Sequence, residues 1–478
     1  MSNVEKKTYL MGIDAGTTSL KTGLYDVDGQ LLALAGQEYP TFHPKPGWAE
    51  HPPEQWWDAL KKTVNKVLTT SGISSDLIAG IGVDSLSPTV VSVDKNGKPL
   101  RPAIIWMDTR GGPHNAFPKL LWIRDNQPDI IQKTHKVLFA NGFLIYKLTG
   151  QYSADMPQVW WNNKEVAESL GDLMDKFPDV YQMSQVVGEV TAEAAKETGL
   201  ATGTPVVAGS ADGIVANFGS GLVKAGRTGE FTGQSAVIMM VTDKEHPEAI
   251  SKGLWHSPGV VPGTWEVAGA MSSGGGLYKW FRDKLGYEES EAAAKTGLSP
   301  FEIMDLEASK VPPGSDNLVI LPYFNGERSP IWDSNARGVM FGLSYAHTKG
   351  HIARALMESV AFGFRHIIDV ARECGVTFDE MRSMGGGSKS RLWLQIKSDV
   401  LGIPIRPVLS DAEPLGDAVL AGLGVGLYKD PVETCERLVK LGGIIEPNLE
   451  AYRSYTKLYN VYRKLYVSVK ALYDELLA

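Results

Sequence analysis

The stretch Asp14-Ala15-Gly16-Thr17-Thr18-Ser19-Leu20-Lys21 constrains this chain more than any other, because it follows an apolar run, Tyr9 to Ile13, that reads as a buried strand. An acid at a strand end, a tight glycine turn lined with hydroxyls and a closing lysine are what the phosphate tail of a magnesium nucleotide requires. Asp14 can hold the metal through its oxygens or through bound water, while Thr17, Thr18, Lys21 and backbone N–H groups neutralise phosphate oxygens. The same string also serves as an ordinary turn between strands, so its meaning depends on the rest of the chain.

With 478 residues, 43% of them hydrophobic, the chain is long enough for two or three domains, and two main lobes are expected. A formal net charge of −8 with 21% charged residues gives no global basic footprint, which argues against nucleic acid as the main partner. Cys374 and Cys435 fall in different helical regions, without the spacing of a metal knuckle or a redox pair. Met1 to Lys7 is polar and cannot form the apolar core of a signal peptide. No run reaches the roughly eighteen apolar residues of a membrane helix, so no membrane partner and a cytoplasmic location are expected.

The opening alternates strand and turn: Tyr9 to Ile13, Leu20 to Tyr25, an Asp28-Gly29 turn, then Leu31 to Tyr39, a three-strand antiparallel start. Glu54 to Leu68 has helical periodicity with Trp56, Leu60 and Val64 on one stripe, and Ile78 to Val83 reads as a strand. A second hairpin is expected from Val90 to Asp94, Asn96-Gly97 and Ile104 to Trp106. This order describes an α/β lobe rather than a doubly wound dinucleotide fold. A similar order recurs later. Val206 to Ala208 ends at Gly209-Ser210-Ala211-Asp212, and Thr228 to Phe231 runs into a second glycine and hydroxyl turn, Thr232-Gly233-Gln234-Ser235. A duplicated lobe with a boundary near Gly219 to Arg227 is the expectation. His351 to Cys374 and Leu449 to Leu477 read as amphipathic helices, the second placed to cross back and cap the first lobe.

Together with Gly385-Gly386-Gly387-Ser388-Lys389-Ser390-Arg391-Leu392-Trp393, these turns make the chain resemble the FGGY carbohydrate kinases over nearly its whole length. The resemblance is also carried by Gly47-Trp48-Ala49-Glu50-His51-Pro52, by Arg101 to Asp108, by Asn325-Gly326-Glu327-Arg328-Ser329-Pro330, and most specifically by Gly338 to Leu343 followed by His351 to Glu358. It implies an α/β fold of two actin-like (ribonuclease-H-like) lobes with a nucleotide- and sugar-binding cleft between them. Residues 1–224 would form the sugar-binding lobe with the first phosphate turn, 225–446 the nucleotide-binding lobe, and 447–478 a helix packing back on the first lobe. The implied reaction is phosphorylation of a sugar or polyol hydroxyl by Mg·ATP, the nearest subgroup is xylulokinase-like, and a homodimer is what the family suggests.

Residue by residue, the resemblance makes Asp212 the catalytic base, against the reading from spacing alone in which base and helix N-cap stand about even. Asp14 would bind Mg²⁺, and Gly233, Gln234 and Ser235 would offer N–H groups to phosphates. Gly385, Gly386 and Gly387 permit close backbone approach to a flat base or ribose, with Ser390 beside them, although a glycine hairpin is the usual meaning of such a run. The sugar is expected at Ser87, Trp106 and Asp212. Departures from the family pattern fall here: Gln234 stands where threonine is usual, Leu86-Ser87-Pro88 replaces Gln-Met-His, and Gly213 replaces an asparagine. The segments after Arg110 and after Trp161 are also shorter than usual. The xylulokinase-like resemblance makes a ketopentose such as xylulose the expected acceptor, and these departures add a polyol of the glycerol or erythritol kind or an aldonate such as gluconate as alternatives.

His347 and His351 carry helical metal-pair spacing but no intervening acid, and Trp56-Trp57 and Trp160-Trp161 are of the kind that anchor helices more often than they stack sugars. A sugar-sensing regulator would need a helix-turn-helix arm before Tyr9, and a chaperone-type ATPase would continue past the tail helix. A degenerate, non-catalytic member remains as the third reading, and the retained Asp14, Lys21 and Asp212 stand against it.

Overall fold

The computed structural model describes residues 8–111, 116–161 and 169–477 and divides into two compact units. The first comprises 1–221 with 410–439, and the second 222–409 with 440–478. The shortened segments noted after Arg110 and Trp161 fall on 112–115 and 162–168, outside the described residues.

In the first unit, β1 (Tyr9–Ala15), β2 (Ser19–Asp26) and β3 (Leu31–Glu38) form the expected antiparallel meander. On the other side of β1 lie β4 (Ile78–Ser85), parallel to it, then β6 (Pro205–Val207), parallel to β4, with β5 (Val186–Glu189) antiparallel at the edge. The sheet order is therefore β5-β6-β4-β1-β2-β3. The helix Glu54–Ser71 buries Trp56, Trp57, Leu60, Val64 and Val67 against the meander and stops at Gly72, whose φ of 67° few other residues adopt cheaply. The expected second hairpin is present in irregular form, with bridges between Val93 and Pro99 and between Val90 and Ile104 on either side of the Asn96-Gly97 turn, while Val91–Val93 also pairs with Lys136–Leu138.

The second unit repeats the plan. Here β7 (Arg227–Thr232) pairs antiparallel with β8 (Ala236–Thr242), which leads through β10 (Trp265–Met271) to β9 (Trp255–Pro258). On its other side β7 runs parallel to β11 (Glu380–Met384), which is parallel to β12 (Ile405–Pro407). Setting aside the extra edge strand of each, both sheets follow the same order: three antiparallel strands, with the first also paired to a parallel fourth and that to a parallel fifth. This is the actin-like architecture.

Two expected boundaries are corrected. Residues 410–439 belong to the first unit rather than the second, because the helix Ala412–Gly424 lies directly on β1 and β4. Gly12 and Gly82 sit opposite each other in those strands, and a Cβ on either would stand 1.9 Å from the Pro414 carbonyl oxygen or 2.2 Å from that of Asp417. The tail helix, Leu449–Leu477, packs within the second unit rather than on the first. Its buried tyrosines find both apolar and polar partners there: Tyr455, Tyr459 and Tyr462 surround Phe362, Tyr455 donates to Glu358, and Tyr466 donates to Asp333. Among the described residues no helix is long and apolar enough to cross a membrane.

Candidate active site

Gly12-Ile13-Asp14 on β1 and Gly82-Val83-Asp84 on β4 are the same three-residue pattern in register, Gly12 opposite Gly82 and Asp14 opposite Asp84. Because side chains alternate along a strand, each glycine shares a face with the acid two residues on. The glycines admit the helix Ala412–Gly424 to that face, and the helix brings Glu413 and Asp417, one turn apart, to the two aspartates. A bridge from Ser85 to Ala211 sets Asp212, the first residue of the helix Asp212–Ser220, at the end of the neighbouring chain segment. Three parallel segments thus deliver Asp14, Asp84 and Asp212 at or just beyond their carboxyl ends, the edge at which such sheets bind ligands.

The resulting cluster is strongly acidic. Lys21, cross-strand from Asp14, lies 3.4 Å from its Oδ2. Burial would lower the lysine's pKa, but Asp14, Glu413 and Asp411 together push it above the usual value. Burial raises all five clustered carboxyls. For Asp14 it outweighs the opposing pull of Lys21, and for Asp84 and Asp417 it is reinforced by neighbouring acids. The half-buried Asp212 is pushed up to about 7 by burial and then by Asp14, and Glu413 to about 7 by burial and Asp14. Neither oxygen of Asp84 or Asp417 has a well-formed hydrogen bond among the described residues, and both side chains are fully buried. Such an excess of hard oxygen donors suits Mg²⁺, which keeps much of its water and takes only one or two carboxylates. Among the described residues no three His, Cys, Asp or Glu side chains converge to hold an ion by themselves. The donor set therefore fits a magnesium ion completed by water and phosphate, with Asp14 as the carboxylate nearest the turn.

The first turn is closed by Gly16 N–H donating to Ser19 O, and Tyr39 hydroxyl donates to Gly16 O. Thr18 is exposed, whereas the Thr17 hydroxyl accepts the indole N–H of Trp106 at 2.8 Å. Close to Trp106 in the sequence, Asp108 and Arg110 form a buried ion cluster with Glu50. Arg110 lies 3.7 Å from the ring centroid of Trp48 and pairs with Glu50 and Asp108, each at 2.6 Å. The predicted phosphate residue Thr17 and the predicted sugar residue Trp106 are thus in direct contact. Ser87 lies two residues beyond the Ser85 bridge, half-buried, its hydroxyl donating to Gln158.

In the second unit the turn Gly233-Gln234-Ser235 follows β7 as expected, Gly233 N–H donating to Ser235 O and the Gln234 carbonyl accepting from Gly274 and Gly276. The Gln234 side chain is exposed and lies over Gly276, where a Cβ would stand 2.4 Å from its Nε2. Beneath the turn, Lys397, wholly buried, bridges Glu230 at 2.5 Å and the Thr232 hydroxyl at 3.0 Å, and Ser383 also donates to Glu230. Two of the three expected glycines answer to this packing. A Cβ on Gly385 would stand 2.7 Å from the Thr232 carbonyl oxygen and one on Gly387 2.7 Å from the Thr232 Cβ, whereas the nearest atom to a Cβ on Gly386 would be 3.9 Å away. Ser390 caps the helix Arg391–Leu401 by accepting from Trp393 N–H at 3.1 Å.

Within the first unit the structure brings together Asp14, Thr17, Lys21, Trp106 and Asp212, with Thr18 on the same turn. In the second it brings together Gly233, Gln234 and Ser235 with Gly385, Gly386 and Gly387. Asp212 is not the N-cap that spacing alone allowed: Ala211 holds that position, and among the described residues the hydrogen bond that Asp212 accepts comes from its neighbour Gly213. The resemblance puts Asp84 at the start of the sugar loop Asp84 to Pro88 and Glu413 to Ala418 on a wall of the nucleotide site; the structure gathers Asp84, Glu413 and Asp417 into the acidic cluster of the first unit, a grouping the sequence reading did not make. The repeated Gly-x-Asp pattern and the Glu413/Asp417 spacing were the available signals. The sequence reading also missed Asn141, Asp155 and Gln158, which carry no local signature. The side chains of Trp160 and Trp161 lie outside the described residues.

Comparison with known proteins accounts for this arrangement. Residues 9–115 and 112–219 match the N-terminal domain of the FGGY family of carbohydrate kinases, and residues 231–425 match its C-terminal domain. The chain belongs to the FGGY family of carbohydrate kinases. As a member it is a phosphotransferase that acts on a sugar hydroxyl, and kinases of this family use ATP, generally with Mg²⁺. The kinase is 29% identical to a xylulose kinase of Staphylococcus epidermidis, over 98% of this chain and 99% of the relative. It is 28% identical to a gluconokinase of Bacillus subtilis, over 88% of this chain and 87% of the relative. Its fold matches the crystal structure of a ligand-bound xylulose kinase from Lactobacillus acidophilus with a TM-score of 0.88 at 24% identity, covering 98% of this chain and 99% of the other.

Proposed function

We propose that this kinase transfers the γ-phosphoryl group of Mg·ATP to a hydroxyl of a ketopentose of the xylulose type, with Asp212 as the base. The observation that carries the assignment of the base is its position at the carboxyl edge of the first sheet with its pKa pushed up to about 7. A carboxylate so tuned is ionised in a large fraction of molecules at neutral pH and is far more basic than an exposed aspartate. Similarity to the xylulose kinase over almost the whole of both chains supports the choice of sugar.

The remaining roles follow from the chemistry of phosphoryl transfer, which asks for positioning and charge neutralisation more than covalent participation. Magnesium, when bound, neutralises charge on the phosphate oxygens, and Asp14 is the residue proposed to hold it through water. Lys21 offers a fixed positive charge beside that carboxylate, and Thr17 and Thr18 with their backbone N–H groups line the first phosphate turn. Gly233, Gln234 and Ser235 supply the second phosphate turn. The buried Lys397–Glu230 pair keeps the strand leading into it rigid. Gly385 to Gly387 and Ser390 are assigned to the nucleotide, Gly386 offering the open backbone. Trp106 and Ser87 hold the sugar, and Asp212 takes the proton of the attacking hydroxyl.

The test is ADP release from Mg·ATP across ketopentoses, ketohexoses, polyols and aldonates, with wild type and Asp212→Asn side by side. Xylulose giving the highest kcat/KM, with turnover lost in the variant and nucleotide binding retained, is expected. Unchanged turnover in Asp212→Asn would overturn the base assignment, and a clear preference for another substrate class would overturn the choice of sugar.

A further inference from the structure

The polar network behind Ser87 fixes which way its hydroxyl proton points. It begins at the carbonyl of Ala208, which can only accept. Asn141, buried at the start of the helix Ala140–Thr149, places its Nδ2 3.1 Å from that oxygen and 3.2 Å from Asp155 Oδ2. Its amide oxygen must then face the other way, where Gln158 Nε2 donates to it at 3.0 Å and to Asp155 Oδ2 at 2.7 Å. The Gln158 amide oxygen is left facing Ser87, 2.8 Å from its Oγ. Reversing either amide would set oxygen against oxygen, and protonation of Asp155 changes nothing, because the Ala208 carbonyl alone orients Asn141 and Asn141 orients Gln158. A serine hydroxyl has one proton, and here it is spent on Gln158.

The same network ties down the neighbouring segment that carries the base. Ser210 Oγ donates to Asp155 Oδ1 at 2.6 Å, and Asn141 N–H donates to Ser85 Oγ at 2.8 Å. The loop holding Ser87 and the residue two before Asp212 therefore share one buried anchor, composed wholly of residues of the first unit.

We infer that Ser87 meets the substrate as a hydrogen-bond acceptor only, so that the site selects a neutral polyhydroxy compound presenting a C–OH there and rejects an aldonate. The inference rests on the kinase reading above and narrows it. A sugar hydroxyl can donate to the free lone pairs of Ser87. A carboxylate or a carbonyl at that position has no proton to give to Ser87, and an aldonate, which also carries hydroxyls, is opposed by its charge as well, because the Asp212 proposed to face the acceptor interacts with Asp14, Asp84 and Glu413. Gln158, Asn141 and Asp155 act through Ser87 and are positioning residues for specificity.

The experiment is equilibrium binding by calorimetry of a ketopentose, a polyol and an aldonate to wild type, Ser87→Ala, Ser87→Thr and Gln158→Met. It is run alongside turnover, so that binding is read whether or not phosphorylation occurs. Wild type should bind the aldonate at least about 100-fold more weakly than the best neutral compound, a floor below the roughly 10⁴- to 10⁵-fold by which a site built to hydrogen-bond a hydroxyl rejects an analogue lacking it. Ser87→Ala should weaken the neutral ligand about tenfold, visible in its KM with the ATP KM unchanged, and Ser87→Thr should restore it. Gln158→Met frees the Ser87 proton and should narrow the neutral-to-aldonate ratio about tenfold. An aldonate bound as tightly as the neutral compounds in wild type would overturn the inference, as would Ser87→Ala leaving the affinity of the neutral ligand unchanged. If Gln158→Met fails to fold, the two Ser87 variants decide. Binding with the expected selectivity but no phosphorylation of any compound would instead overturn the kinase reading and leave the polarity of Ser87 standing.

Discussion

Raising the pH from 6 to 8 should destabilise the ligand-free protein, and Asp212→Asn or Glu413→Gln should each remove a defined part of that loss. Both carboxyls are held near pKa 7 in the fold, whereas in the unfolded chain they return to ordinary values near 4. At pH 6 the folded state therefore keeps most of two protons that the unfolded state has already released. By pH 8 it has lost them, and the ionised forms sit among Asp14, Asp84 and Asp417 with Lys21 as the nearby cation. Stability falls with pH wherever the folded state binds more protons than the unfolded one. For a group of pKa about 7 this interval spans a tenfold change in the folded-state binding polynomial, about 1.4 kcal/mol each and about 3 kcal/mol for the two together. The assay is urea unfolding at pH 6 and pH 8, without nucleotide or magnesium, taking the difference between wild type and each variant at each pH. Each variant should gain about 1.4 kcal/mol on wild type between the two pH values, whatever its absolute stability. If wild type and variants lose the same stability across the interval, the two groups are not protonated near neutrality and the electrostatic reasoning for the site fails.

Three further outcomes are expected. In wild type kcat/KM for the sugar should rise as pH passes through about 7, because the free enzyme must lose the Asp212 proton before the side chain can accept another; a flat profile from pH 6 to 8 would count against Asp212 as base. Gly82→Ala drives a Cβ to 2.2 Å from the backbone oxygen of Asp417, so it should lower stability by at least about 1–3 kcal/mol, read as a fall in melting temperature. Lys397→Met strands Glu230 without its buried cation and should cost about 3–5 kcal/mol in urea unfolding, and adding Glu230→Gln should recover much of that loss.

The sequence disclosed whatever was encoded within a few residues. Asp14, the hydroxyl turn and Lys21 could be read together because a strand, a tight turn and a strand hold them in one short segment, and the register that pairs Asp14 with Lys21 follows from that turn. The amphipathic tail helix was equally legible as a helix. Its docking place was not, because a tyrosine stripe requires an apolar bed with polar partners at its edge, and Glu358 and Asp333 supply those partners in the second unit. The assignment of 410–439 failed for the same reason: only contact reveals that Gly12 and Gly82, ordinary strand glycines in the sequence, are the seat of the helix that carries Glu413 and Asp417.

The substrate side shows the limit most sharply. Set against the family pattern, Leu86-Ser87-Pro88 looks like a loss of polar side chains, which leaves ketose, polyol and aldonate all open. What narrows the choice is not the identity of Ser87 but the direction of its proton. That direction is inherited through Gln158 and Asn141 from a backbone carbonyl whose polarity is independent of residue type and pH. A hydroxyl is ambiguous in sequence because it can donate or accept, and it becomes selective only when a buried partner takes its proton. Specificity in this loop is therefore a property of the two amide side chains behind it, so a substitution at Asn141 or Gln158 should alter substrate choice while leaving the contacting residue untouched.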